Sequence, residues 1–187
     1  MPRKSTKVKV LTNRDTNILK QLSKTGLSNA QQAKKYCTLS IERLGKLETS
    51  GYIKTTSHIV RGQNTLIIQL DKVGKEWCRQ EIGTKSFCVA QTNHLTHDLK
   101  LTEAYYNLPE SVQETWRHEG ELIQDIYEKN PLLKENGGLK TCTDATVQVN
   151  GEIIAIESVG LSYTSSIIEL KQEIATQYLG CSRMECV

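Results

Sequence analysis

The stretch Leu139–Val187 reads LKTCTDATVQVNGEIIAIESVG and then LSYTSSIIELKQEIATQYLGCSRMECV, and it decides the fold. Asn150-Gly151 separates two runs of alternating or β-branched residues. That pattern predicts a hairpin, because both turn residues tolerate the positive φ of a type I′ turn. A helix and a short last strand should follow. Asp144 lies on the first predicted strand and Glu157 on the second, each beside uncharged neighbours. Two carboxylates on paired strands can converge at a sheet rim, as a cation bound by hard oxygen ligands requires. The alternative is a pair of exposed surface carboxylates.

Charge divides the chain in two. Residues 1–87 hold 17 Lys/Arg against 6 Asp/Glu, a net of +11, and residues 88–187 hold 7 against 15, a net of −8. A basic half suits a polyanion and an acidic half suits cations or chemistry, unless both are solvated surfaces. The predicted boundary accordingly falls at 87/88. No apolar run approaches the roughly 18 residues that would span a bilayer. The opening MPRKSTKVKV lacks an apolar segment after its charges and predicts a short basic arm rather than a secretory signal. The six cysteines form no CxxC pair, which points to reduced thiols and a cytoplasmic protein.

The basic half reads as a winged helix-turn-helix. Thr12 or Asn13 should cap a first helix with Ile18, Leu19 and Leu22 inward, ended by Gly26. Ser28 should cap a second helix, SNAQQAKKYC. A third, SIERLGKLETSG, carries Ile41, Leu44 and Leu47. A strand near residues 52–56 should pair with TLIIQL through RGQN, with Gly62 and Asn64 at the tip. A fourth helix follows, with Val73 and Trp77 inward. In such a domain the third helix enters the major groove of double-stranded DNA. The expected DNA-binding residues are Lys34, Lys35, Ser40, Arg43, Lys46 and Arg61, with Glu42 also outward. A protein-protein role is the other use of such domains.

In the acidic half, NHLTHDLKLTEAYYNL predicts a helix with Leu95, Leu99, Leu101 and Tyr105 apolar. SVQETWRHEGELIQDIYEKN predicts a second helix or a helix-strand pair, with Trp116, Leu122, Ile123 and Ile126 as anchors. Glu119 or Glu121 would add a carboxylate to the site, or both are helix-surface charge. His94 and His97 share a helical face without evident further zinc ligands, and His97-Asp98 suits an orienting pair or a cap. Lys171 either reaches back to the carboxylates from the last helix or sits solvated on it. Tyr163 and Tyr178 are candidate nucleophiles or core residues.

These motifs together resemble the replication-relaxation family, plasmid and integrative-element proteins related to MobC-type relaxases. The resemblance rests on LTNRDTNILKQLSKTGLSNAQQAKK, the HxxHDL of residues 94–99 and the W-x-x-E-x-E-L from Trp116 to Leu122. It also takes in Thr143-Asp144, the I-E-x-V of residues 156–159, and Tyr163-x(7)-Lys171. It implies an α+β protein: a winged helix followed by a restriction-endonuclease-like α/β domain of the PD-(D/E)xK type with a small mixed sheet. The implied activity is nicking or relaxation of DNA with Mg²⁺ or Mn²⁺. The implied catalytic residues are Asp144, Glu157, Lys171, Glu119, Glu121 and His97, with Asp98 matching the motif, and Asp144, Glu157 and Glu121 hold the metal. Ser158-Val159 stands where that fold usually carries its lysine. Relaxosome or replication proteins and a second copy of the chain are the implied partners, with no membrane. A non-catalytic accessory or transcriptional regulator is the alternative.

Overall fold

The computed structural model describes residues 6–90, 93–160 and 163–187 of the chain. The start of the expected basic arm, residues 1–5, lies outside the described residues. The protein is mixed α+β with two small sheets. It divides into two compact units, Met1–Glu103 and Ala104–Val187.

The first unit begins with α1 (Asn13–Thr25), whose start is fixed by a local contest that Thr12 wins. Its N–H and hydroxyl both donate to Asp15 Oδ2, at 2.7 and 2.8 Å, which satisfies groups a helix start leaves open. A two-residue strand β1 (Ser28–Asn29) leads into α2 (Ala30–Cys37). The cap of α2 is Asn29 rather than Ser28: Asn29 Oδ1 accepts the Gln32 N–H at 2.8 Å, while Ser28 is taken into the sheet opposite Ile68. Next come α3 (Ile41–Thr49), the hairpin of β2 (Ile53–Val60) and β3 (Gln63–Leu70), and α4 (Lys72–Ile82). The antiparallel sheet runs β1-β3-β2. Arg61 and Gly62 make the two-residue turn, both with positive φ, and Asn64 is one residue inside β3, opposite Ile59.

Two expected inward faces are rotated. On α3, Leu44 and Leu47 are buried but Ile41 is 64% exposed. On α4, Gly74 and Cys78 face inward, whereas Val73 is exposed and Trp77 half-buried. A β-carbon on Gly74 would stand 2.0 Å from the Tyr52 carbonyl oxygen, so close backbone approach, which hydropathy does not register, chooses that face.

The first unit continues past the 87/88 boundary that charge suggests, into the start of α5 (Leu95–Asn107). Leu95 joins Leu27 and Ile67 in an apolar cluster. The Thr102 hydroxyl donates to the Leu27 carbonyl at 2.7 Å, and Gln21 donates to the same oxygen at 2.8 Å.

The second unit carries α6 (Glu110–Gln113), β4 (Arg117–His118), α7 (Glu119–Lys129) and α8 (Pro131–Glu135). It ends with β5 (Ala145–Val149), β6 (Glu152–Glu157), α9 (Ser165–Leu179) and β7 (Arg183–Cys186). The sheet order is β4-β5-β6-β7, with only the β6–β7 pair parallel. Asn150 and Gly151, with φ of 51° and 85°, form the two-residue turn between β5 and β6. Leu122, Ile126 and Cys142 form one core cluster, and Tyr178 packs on it. All six cysteines are thiols, and Cys37, Cys78, Cys142 and Cys181 are buried. No helix among the described residues is long and apolar enough to cross a membrane.

Candidate functional site

Register places the two carboxylates. Ala145 pairs with Ile156, so one step beyond, at the end of the hairpin away from its turn, Asp144 stands opposite Glu157. Residues directly opposite on antiparallel strands project to the same face. Asp144 immediately precedes β5 rather than lying within it. Its N–H donates to Glu157 Oε2 at 3.2 Å, and its Oδ2 accepts the Ser158 N–H at 2.7 Å. An oxygen of one carboxylate lies within 4.8 Å of an oxygen of the other.

Backbone contacts hold this corner from both sides. The Glu119 N–H donates to the Asp144 carbonyl at 2.8 Å, fixing the start of α7 there. On the other side the Val187 N–H donates to the Glu157 carbonyl at 2.8 Å, extending the pairing of Glu157 with Cys186. Glu157 is therefore the end of a central strand, and its side chain is wholly buried.

Lys171 projects from α9 on the same face as buried Ile174 and Ala175, at the three- and four-residue spacing of one helical stripe. Its Nζ donates to Glu157 Oε1 at 2.6 Å, with only 7% of the lysine side chain exposed. The Tyr163 hydroxyl donates to the same oxygen at 2.9 Å, and the ammonium lies 5.4 Å from the Tyr163 ring centroid. Burial, and then the neighbouring Asp144 carboxylate, push the Glu157 carboxyl up to about 7 against the pull of Lys171. Burial works against the charged form of Lys171, but Glu157 and Asp144 outweigh it and hold the ammonium above its ordinary range. Burial, followed by Glu157, raises the Tyr163 hydroxyl to about 12, so it is a donor here rather than a phenolate.

Asp144, Glu157 and Lys171 thus meet at one corner of the second unit. Tyr163, read from sequence as a candidate nucleophile or core residue and as the start of the Tyr163-x(7)-Lys171 spacing, joins them as a hydrogen-bond donor. Tyr178 packs instead in the core. Glu121 is occupied elsewhere: its Oε2 accepts the His118 N–H at 3.2 Å, making it the third-position partner of a capping box. That use accounts for the three-residue spacing of Glu121 from His118. The Glu119 side chain is exposed on the first turn of α7. His97 stands on α5 in the first unit, with Nδ1 3.0 Å from the Asp98 carboxylate, as an orienting pair.

Of the six residues expected to touch DNA, Lys34, Lys35, Ser40 and Arg61 are exposed. Lys35 lies 2.7 Å from Glu103. Ser40 Oγ caps α3 by accepting the Arg43 N–H at 3.1 Å, and Lys46 pairs with Glu42 at 2.9 Å. Arg43 turns inward: Nε donates to Asp15 Oδ1 at 2.9 Å, and Nη2 to Asp15 Oδ2 and to the Val10 carbonyl.

The donor set at the corner suits a divalent cation. It offers hard carboxylate oxygens, and the like-charge contact that raises Glu157 is what such a cation would relieve. Compared with family models, curated proteins and solved structures, the chain matches none.

Proposed function

We propose that the protein is a sequence-specific DNA-binding protein of a plasmid or other mobile element whose second unit is nuclease-like and nicks DNA with a divalent metal. One observation carries the proposal: Asp144, Glu157 and Lys171 converge on one corner, with Glu157 buried and its carboxyl raised. A lysine from the following helix supplies the cation that Ser158-Val159 does not. A metal held by Asp144 and Glu157 would activate a water and stabilise the leaving oxygen of a phosphodiester. The residues' own part is positional. Lys171 and Tyr163 fix Oε1 of Glu157, and the Ser158 N–H fixes Oδ2 of Asp144.

The first unit supports the DNA-binding half. Three short helices followed by a two-residue-turn hairpin, in the sheet order β1-β3-β2, suit a winged helix, and residues 1–87 carry +11. The mobile-element context rests on the resemblance described above.

The test is nicking of a supercoiled plasmid carrying the cognate element, with Mg²⁺, Mn²⁺ or EDTA. Open circles should form only with metal and vanish in Asp144→Asn and Glu157→Gln. Nicking that survives in both variants removes the assignment. The 2.6 Å Lys171–Glu157 pair favours a second reading, because it compensates the buried carboxylate without a metal. In that case the second unit is a scaffold for dimerisation or partner docking, and duplex binding is cooperative on repeated sites and indifferent to EDTA.

A further inference from the structure

We infer that the outward seam of α3, Ile41–Gly45–Thr49, reads thymine methyl groups in the major groove. The inference rests on the DNA-binding reading and names the base chemistry of that same helix.

Most polar side chains of α3 and its cap are engaged by other groups of the protein, though Ser40, Glu42 and Glu48 stay exposed. Ser40 caps the helix, Arg43 is bound to buried Asp15, and Lys46 pairs with Glu42. The Glu48 carboxylate accepts both the N–H and the hydroxyl of Thr55, at 2.8 and 2.7 Å. Beside exposed Glu42, the stripe Ile41–Gly45–Thr49 presents apolar or bare surface at four-residue spacing, and residues so spaced form one stripe of a helix. Ile41 is 64% exposed. A β-carbon on Gly45 would meet nothing within 4 Å. The Thr49 hydroxyl donates back to the Gly45 carbonyl at 2.8 Å, which uses its polar group within the helix.

Glycine inside a helix destabilises it relative to alanine. Among the described residues a β-carbon on Gly45 would meet open space, so no close neighbour there accounts for the glycine. An external surface that approaches the backbone closely does account for it. Charge identifies that surface as a polyanion: residues 1–87 carry +11, and exposed Arg14 lines a cleft with Thr12, Thr38 and Ser40 beside the first turn of α3. The major groove admits an α-helix, and the first turns of such a helix meet the base edges. Thymine alone presents a methyl there, the natural partner of an exposed isoleucine.

The experiment uses the full chain and a randomised duplex library. Sites selected by the wild type are rebuilt with deoxyuridine for thymidine, which removes only the methyl. Wild-type affinity should fall roughly fourfold per contacted methyl, the factor that corresponds to about 0.8 kcal/mol for one buried carbon. Ile41→Ala should lose that difference, and Gly45→Leu should select different sites or none. Ile41 is a surface residue, so the alanine variant keeps its fold, checked by its melting curve. If the wild type binds duplex with the usual salt dependence but is indifferent to the methyl, the seam does not read thymine. The same follows if Ile41→Ala keeps the full methyl effect. If the wild type binds no duplex even at low salt, the DNA-binding reading falls, and the inference falls with it.

Discussion

Each unit buries one carboxylate against one cation, and the two pairs are tuned in opposite directions. Asp15 and Glu157 are both wholly buried. Asp15 receives Arg43 through two nitrogens and Thr12 through its N–H and hydroxyl, with no like charge among those partners. Burial pushes its carboxyl up, but the hydrogen bonds from Arg43 and Thr12 prevail, and it lies below the usual carboxylate range. Glu157 has one ammonium, one phenol and one N–H at 3.2 Å, with Asp144 beside it, so burial prevails and its carboxyl rises to about 7. A carboxylate answered on all sides is a structural pin. One left short of compensation, beside a second carboxylate, is what a metal or a proton can use.

The largest effect expected of this contrast is at Arg43. Arg43→Met should cost about 3–5 kcal/mol, because it strands a buried charge that is costly to protonate at neutral pH. Urea midpoints should show that loss unchanged between pH 6 and 8. Lys171→Met should cost less, about 2–3 kcal/mol, because Glu157 can take up a proton instead of remaining a bare anion. A group whose folded-state carboxyl is raised holds more protons folded than unfolded, so stability falls as pH rises from the unfolded value towards the folded one. The Lys171→Met loss should therefore shrink on going from pH 8 to pH 6 in EDTA buffer. A flat profile would place Glu157 in the same class as Asp15. Tyr163→Phe should be the mildest, about 1 kcal/mol for one lost hydrogen bond at a half-buried hydroxyl. Its mark should be a stability profile displaced to higher pH, since Glu157 loses a donor.

The facing of Asp144 and Glu157 was legible because it depends on local rules. Asn150-Gly151 fixes a two-residue turn, the turn fixes the register, and the register sets the two acids opposite each other. The start of α1 was legible for the same reason, through Thr12. What sequence could not show was which polar residue another part of the chain would claim. Arg43 looks like a groove-facing base on any helical wheel, yet Asp15, twenty-eight positions earlier, takes it. Glu121 fits a ligand set and a capping box equally, and only the position of the His118 N–H decides. Charge placed the boundary at 87/88, but packing of Leu95 and hydrogen bonding of Thr102 carry the first unit to Glu103. Lys171 was ambiguous because an amphipathic pattern cannot say whether a lysine at its margin lies under the helix or beside it.

The buried thiols make each unit its own reporter of opening. Burial pushes Cys78 in the first unit up to about 12, and Cys142 and Cys181 in the second up to about 12 and 11. The thiolate is the form that alkylating reagents attack, so these three stay silent while their surroundings are closed. Cys186 is raised too, by burial and then by Glu157, but it stands exposed on the last strand, within reach of the reagent. A pulse of iodoacetamide during gentle denaturation, read by peptide mass, would thus time the opening of one unit against the other with no label introduced.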